Sequence, residues 1–406
     1  MEPEGLVVMS RELAYVLLIC GLMIVPGLLQ RLRVPPPLTC FGLGVALILA
    51  VPGLHHGDSV VHLLAALGIS TLFLYAGLEV EIATMRRALG PLLVYLSTRV
   101  LSIVAVAWLA SRYLELRWQD ATLLALALLT SSTGFIIDSL DRFGLKSEER
   151  FWVTSNAIAA ELLALAVMFV VLKSTNTREL ATGSLYLGLT LVALPLILLA
   201  LGRWLIPFAQ GSAFSLLIMV GFAAAFVTDA LGVEYLLGAF LAGLVARLLE
   251  TRVPHLASHD NLHAVKLFSS FFLPFYFFSR GANVPLDALS WQALGIGVAL
   301  TVLLVPLRGF AVWAKQRYLG GRDTRSSLRI AAALTPTLIF TLVLATMLHT
   351  RGAISDEVFG GLLLYAGLNT LLPSFILRMP FDVAPTPLEA VRQVTERAPA
   401  ERGHGS

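Results

Sequence analysis

Phe151-Trp152-Val153-Thr154-Ser155-Asn156-Ala157-Ile158-Ala159-Ala160-Glu161-Leu162-Leu163-Ala164-Leu165-Ala166-Val167-Met168-Phe169-Val170-Val171-Leu172 is an apolar run long enough to cross a bilayer, with one carboxylate at its centre. Ten residues at about 1.5 Å rise put Glu161 roughly 15 Å deep, near the midplane. A charged side chain there costs about 3 kcal/mol or more, and such residues belong to ion or proton pathways.

The rest of the chain agrees with a membrane reading. Of 406 residues, 57% are hydrophobic and 14% charged, and the mean hydropathy is +0.82. That composition excludes a soluble fold of this size and implies an all-α polytopic membrane protein. The stretch from Leu13 to Leu29 follows an acidic start (Glu2, Glu4, Glu12), without a basic n-region or a small-residue cleavage site, and reads as a retained helix. Cys20 and Cys40 read as buried small hydrophobes, too few for a cysteine metal centre. No glycine-rich phosphate loop stands in a βαβ context, which argues against ATP-driven transport. Neither an enzyme, a cofactor nor a nucleic-acid partner is expected; the partner is membrane lipid.

Apolar windows predict about thirteen spans, near 12–29, 36–53, 61–78, 90–111, 120–140, 151–172, 183–202, 213–231, 234–249, 265–284, 292–314, 328–349 and 357–378. Of the 29 Lys and Arg, twenty fall in one alternate set of loops and six in the other. This asymmetry predicts an external amino terminus and a cytosolic carboxyl terminus. Glu79 and Glu81, followed by Arg86 and Arg87, fit a cytosolic interface. Residues 1–379 form the expected transmembrane domain, and 380–406 a polar, Pro-containing cytosolic tail.

Two spans are interrupted. Thr130-Ser131-Ser132-Thr133-Gly134 lies inside the fifth, where hydroxyls can satisfy backbone groups freed by a break and Gly134 can adopt unusual dihedrals. Leu334-Thr335-Pro336-Thr337 lies inside the twelfth, where Pro336 removes a donor and Thr335 and Thr337 can rescue its neighbours. Such residues also kink ordinary membrane helices. Their matching places in two halves, with the seventh span as linker, point to a transporter site at a repeat interface.

Ser131-Ser132-Thr133-Gly134-Phe135-Ile136-Ile137-Asp138-Ser139-Leu140 resembles the SSTAIxxQxL stretch of the cation:proton antiporter superfamily, in the branch of Kef-type potassium efflux systems and Nap-type sodium/proton exchangers. Leu72-Phe73-Leu74-Tyr75-Ala76-Gly77-Leu78-Glu79 is similar to that branch's LFLxGLE, with one extra residue before the glycine. Gly238-Ala239-Phe240-Leu241-Ala242-Gly243-Leu244 matches its GAFLAGL, and Phe277-Phe278-Ser279-Arg280-Gly281 its FFxxxG region. The matches fall in order and span roughly Leu13 to Met379.

The resemblance implies a thirteen-helix inverted-repeat fold, a homodimer, and a mobile core with two crossed, broken helices. It places an essential carboxylate at Glu161 and a basic residue at Arg308. Two departures stand out. Ala160 occupies the place of the polar neighbour, and Glu161 is a methylene longer than the usual Asp. Asp138 stands where Gln is frequent. It either makes a two-carboxylate site with Glu161 or lines a cytosolic funnel a turn below the break. Arg308 would pair with Glu161 in the empty state or stabilise the crossed helices. Arg99, mid-span, would pair with Glu161, Asp138 or Glu79, most simply as a structural pair.

The expected activity is antiport of Na⁺ or K⁺ against protons. Burial disfavours a bare carboxylate, so Glu161 would carry either a proton or a cation, the latter shared with Ser132 or Thr133 oxygens. Two alternatives stand beside this reading: a transport-inactive sensor or scaffold, if an arginine locks Glu161, and an ion-coupled carrier of an organic anion bound by arginines.

Overall fold

The computed structural model describes residues 11–50, 59–80, 89–140, 142–174, 177–204, 212–230 and 235–377. Glu81, Arg86, Arg87 and the 380–406 tail lie outside the described residues. Among those described the chain is entirely helical, without strands. In order the helices are α1 (Arg11–Gln30), α2 (Pro36–Ala50), α3 (Ser59–Leu78), α4 (Leu89–Tyr113), α5 (Trp118–Leu129), α6 (Thr133–Ser139), α7 (Ser147–Lys173) and α8 (Thr177–Trp204). They continue with α9 (Ala213–Ala230), α10 (Tyr235–Leu248), α11 (His259–Ala282), α12 (Trp291–Ala314), α13 (Thr324–Ala333), α14 (Leu338–Thr350) and α15 (Asp356–Ile376). A π-helical turn, Lys315–Leu319, extends α12.

Every expected window falls on a helix or a broken pair. By length and composition, ten described helical segments qualify as crossings, or eleven with the bent pair α13–α14; α2 and α10 are apolar but shorter. The two expected interruptions are real. The first separates α5 from α6 at Thr130–Ser132, and the second bends α13 against α14 by 41°.

Burial sorts the helices. The α5–α6 span is wholly enclosed, whereas α1 and α8 are mostly exposed along their apolar lengths. Hydrocarbon-facing surface of that kind is what a bilayer requires. Cys20, expected inside, is exposed on α1, while Cys40 is buried. The linking helix α8 is thus peripheral. One group of helices packs around α3, with α10 and α11 against it and α2 against α11. The other gathers α4, α5, α7 and α12–α15 around the two breaks.

Glycines set the first group's spacing. A Cβ on Gly77 would stand 2.2 Å from the Phe240 carbonyl oxygen, and one on Gly243 would stand 2.1 Å from that of Leu74. The LFLxGLE-like and GAFLAGL stretches are therefore mates, on helices whose backbones touch. Small residues permit that approach where lipid supplies no hydrophobic drive between helices. Gly134 corrects an expectation: it does not take a positive φ. It sits in the first turn of α6, where a Cβ would meet the Leu72 side chain at 2.8 Å. Its smallness admits α3, and the break owes nothing to its dihedral freedom.

Candidate functional site

The two breaks touch. Ser132 donates its backbone N–H to the Pro336 carbonyl at 2.8 Å, and the Ser131 hydroxyl donates to the Leu334 carbonyl at 2.7 Å. Thr341 reaches back from α14 to the Ala127 carbonyl at 2.7 Å. Ala127 lies in the last turn of α5, whose carbonyls have no partner further along the helix. Each interrupted helix thus completes hydrogen bonds that the other's break leaves open. In a dry interior, broken helices are tolerated on that condition.

Residues on α15 finish the job, and they were not anticipated. The Tyr365 hydroxyl donates to the Leu128 carbonyl at 2.7 Å. One turn on, Asn369 accepts from the Thr337 N–H at 3.2 Å and donates to the Thr337 hydroxyl at 2.8 Å. Thr335 turns its hydroxyl to the Ala332 carbonyl at 2.7 Å. The Thr335 hydroxyl thus meets the carbonyl that Pro336 leaves open, while the Thr337 N–H and hydroxyl are held by Asn369. A lone Asn inside an apolar span was the available signal.

The arginines do not make the expected ion pairs. Among the described residues, neither Arg99 nor Arg308 forms an ion pair with Glu161, Asp138 or Glu79. Arg308 donates to the Tyr365 hydroxyl at 2.9 Å and to the Leu334 carbonyl at 3.5 Å, and Arg99 donates to the Ser131 hydroxyl at 3.3 Å. Both are buried, and both line one water-sized cavity with Ser131 and Leu334. The physical reason lies in the helix ends. Leu334 closes α13 and Leu128 lies in the last turn of α5, where orphan carbonyls concentrate partial negative charge. Arg308 finds its counter-charge there instead of in a carboxylate, and Arg99 reaches the Ser131 hydroxyl that is itself bonded to the Leu334 carbonyl. Glu79, for its part, accepts from the Tyr75 hydroxyl at 2.5 Å.

Glu161 is 1% exposed, on the inner face of α7. Thr133, the first residue of α6, faces its carboxyl. Three buried oxygens in this region, Glu161 Oε2, Thr133 Oγ1 and Ser132 Oγ, make no hydrogen bond. Buried polar atoms are almost always satisfied, so three orphans on the same short stretch and its neighbour call for an explanation. Oxygens of this kind, one of them ionisable, suit a hard monovalent cation or a proton.

Asp138 is placed differently. Its carboxylate is 36% exposed and accepts from Arg142 one turn on, at 3.2 Å. The sequence left it between a shared site and a funnel. Its exposure and its own arginine set it apart from the enclosed Glu161.

At the helix ends where basic residues gather, Arg322 pairs with Glu148 at 2.8 Å and Arg329 with Glu149 at 3.1 Å. These bonds tie the start of α13 to the start of α7, so both loops lie on one face.

Comparison with known proteins agrees with this geometry. The family described as sodium/hydrogen exchanger, transmembrane, matches residues 16–382. A Na⁺/H⁺ antiporter of Enterococcus hirae is 23% identical over 365 residues, covering 86% of this chain and 92% of that protein. The Na⁺/H⁺-K⁺ antiporter GerN of Bacillus cereus is 23% identical over 371 residues, covering 89% and 93%. Among solved structures, the sodium proton antiporter MjNhaP1 of Methanocaldococcus jannaschii superposes with a TM-score of 0.63 at 15% identity, covering 90% of this chain and 95% of that one. The chain belongs to the sodium/hydrogen exchanger transmembrane family, within the cation:proton antiporter superfamily.

Proposed function

We propose that this protein is a secondary antiporter exchanging a monovalent cation, Na⁺ or K⁺, for protons through competition at Glu161. The observation that carries the reading is the fully buried Glu161 carboxyl, with one oxygen unpartnered, facing Thr133 at the start of α6 beside the crossing of two broken helices. A bare carboxylate is unstable in that surrounding, so the group carries either a proton or a cation. Both cannot occupy it together, and this exclusion couples their opposite movements. Relatives bearing the names Na⁺/H⁺ antiporter and Na⁺/H⁺-K⁺ antiporter support the same class.

In this reading Ser132 and Thr133 supply neutral ligands. Arg308 acts indirectly, by holding the Leu334 carbonyl end of α13 and the Tyr365 hydroxyl, and Arg99 by holding the Ser131 hydroxyl, with Thr335, Pro336 and Thr337 shaping the second break. Asp138 lines the funnel that leads to the site. The working protein is a homodimer in a bacterial inner membrane, amino terminus outside and the short tail in the cytosol. Among the described residues no arginine pairs with Glu161, which argues against a carboxylate locked as an inactive sensor would require. The arginines are likewise occupied by carbonyls and hydroxyls, which disfavours an organic-anion carrier.

The test is proton movement in vesicles carrying a preset pH gradient, on addition of Li⁺, Na⁺, K⁺ or Rb⁺. The wild type should dissipate the gradient with Na⁺ or K⁺, and Glu161→Gln should not. Full exchange by that variant would overturn the assignment.

A further inference from the structure

Away from Glu161, three helix ends enclose a second cavity, of about 340 Å³. The start of α4 contributes Tyr95, the first turns of α7 contribute Trp152 and Asn156, and the π-helical end of α12 contributes Lys315 and Gln316, with Arg322 just beyond. Asn156 is 1% exposed, yet its Nδ2 has no partner, and the buried Tyr95 hydroxyl and Arg322 Nε are also unpartnered. Lys315 stacks its ammonium on the Tyr95 ring at 4.9 Å and has no carboxylate partner among the described residues. Arg322 lies over Trp152 at 4.6 Å; its outer nitrogens donate to Gln316 Oε1 at 2.7 Å and to Glu148 Oε1 at 2.8 Å. That glutamate is exposed, and among the described residues no acid lines the cavity itself.

Lys315, without a carboxylate partner among the described residues, and Arg322, whose Nε is free although its outer nitrogens are engaged, therefore share one space with two further N–H or O–H groups. Unsatisfied buried donors of this number are costly unless a ligand accepts from them. The cavity has the wrong sign for the transported cation. It has the right one for a phosphate, which accepts several charge-assisted hydrogen bonds at once.

Position selects the source. Asn156 stands five residues into the apolar run that starts at Phe151, roughly 7.5 Å below its edge at 1.5 Å per residue. The cavity opens at the face where Arg322 and Arg329 gather, and its rim carries exposed apolar side chains, Val94 and Leu319. Headgroup phosphate inside and acyl chain along the rim is the arrangement these chemistries describe. We infer that this cavity holds the phosphate of an anionic phospholipid, clasped between Lys315, Arg322, Asn156 and Tyr95. The bound lipid would tie together α4, α7 and α12, the helices that carry Arg99, Glu161 and Arg308. The inference does not depend on which ion the protein carries.

Thermal unfolding of the full chain in detergent tests it, with added phosphatidylglycerol, phosphatidylcholine or inorganic phosphate. Phosphatidylglycerol should raise the melting temperature of the wild type and phosphatidylcholine should not. Lys315→Gln should weaken the apparent affinity about tenfold or more, the worth of one charge-assisted hydrogen bond. Arg351→Gln, at the opposite helix ends, should leave the response intact. Tyr95→Phe, which removes only a hydroxyl, gives a milder variant should Lys315→Gln fail to fold, and should show a smaller loss in the same direction. A response to inorganic phosphate that also depends on Lys315 would support the phosphate site with a soluble source. No response in the wild type, or an equal response in all variants, would overturn it.

Discussion

Ser132 and Pro336 meet backbone to backbone, N–H to carbonyl, at 2.8 Å. Their neighbours Ser131 and Leu334, 203 positions apart in sequence, meet in the same way through a hydroxyl. Neither interruption is therefore complete by itself: each supplies acceptors or donors that the other lacks. The irregular backbone survives in the interior because the crossing is reciprocal, and next to it, at the start of α6, stands Thr133, which faces Glu161.

Asn369 is the side chain that holds the second break, through two bonds to Thr337. Asn369→Leu would leave the buried Thr337 N–H without a partner, a loss of about 1–3 kcal/mol, while the Thr337 hydroxyl keeps its contact with Thr341. The expected result is a lower melting temperature, with exchange lost in proportion to the folded fraction falling. Asn369→Asp keeps the acceptor and abolishes one donor, and should fall between. An Asn369→Leu protein as stable as the wild type would show that the break is held by other means.

Asp138 and Glu161 should separate cleanly in kinetics. Asp138 is partly exposed and already faces Arg142. Removing an exposed pair of this kind is worth about 0–1 kcal/mol. Asp138→Asn should therefore shift the apparent cation affinity by no more than about fivefold while exchange stays coupled. Glu161→Gln should abolish exchange and leave the protein folded. Loss of coupling in Asp138→Asn would restore the two-carboxylate site that its exposure argues against.

Helix spans were legible in the sequence because hydrocarbon allows few departures from a long apolar run. Both breaks were legible too, through Thr130–Gly134 and Pro336. Which side chains complete the breaks was not. Tyr365 and Asn369 gain meaning only when α15 is laid against α5 and α14, and a window of hydropathy has no view of that packing. The arginines show the same limit. A buried cation suggests a carboxylate partner, yet the counter-charge for Arg308 is a carbonyl at a helix end that the sequence does not mark. Gly134 was noticed for its backbone freedom, while its use is to make room for Leu72.

Gly243 tests the packing behind the GAFLAGL stretch. Its missing side chain lets α10 lie against the Leu74 carbonyl, where any Cβ would sit at 2.1 Å. The obstacle is backbone, so no rotamer change can relieve it. Gly243→Val should prevent α3 and α10 from seating and sharply reduce the yield of folded protein in the membrane, read by detergent-extracted monodisperse material. Gly27→Val, where no atom lies within 4 Å of the added carbon, is the control that should express normally. Similar yields for both would remove the close approach as the reason for glycine in that stretch.

Arg99 and Arg308 should behave as a coupled pair. They share one small cavity and repel each other, while both serve the carbonyl and hydroxyl cluster of Ser131 and Leu334. Removing one guanidinium loses its hydrogen bonds but relieves the repulsion on the other. Removing the second gains no further relief and leaves the Leu334 carbonyl and the Ser131 hydroxyl with no positive partner. The double variant Arg99→Gln/Arg308→Gln should therefore be destabilised by more than the sum of the single changes, with a coupling of about 0.5–3 kcal/mol. Melting temperatures of the four proteins in one detergent measure it. Additive losses would mean that the two arginines act independently, and that their shared cavity has no energetic meaning.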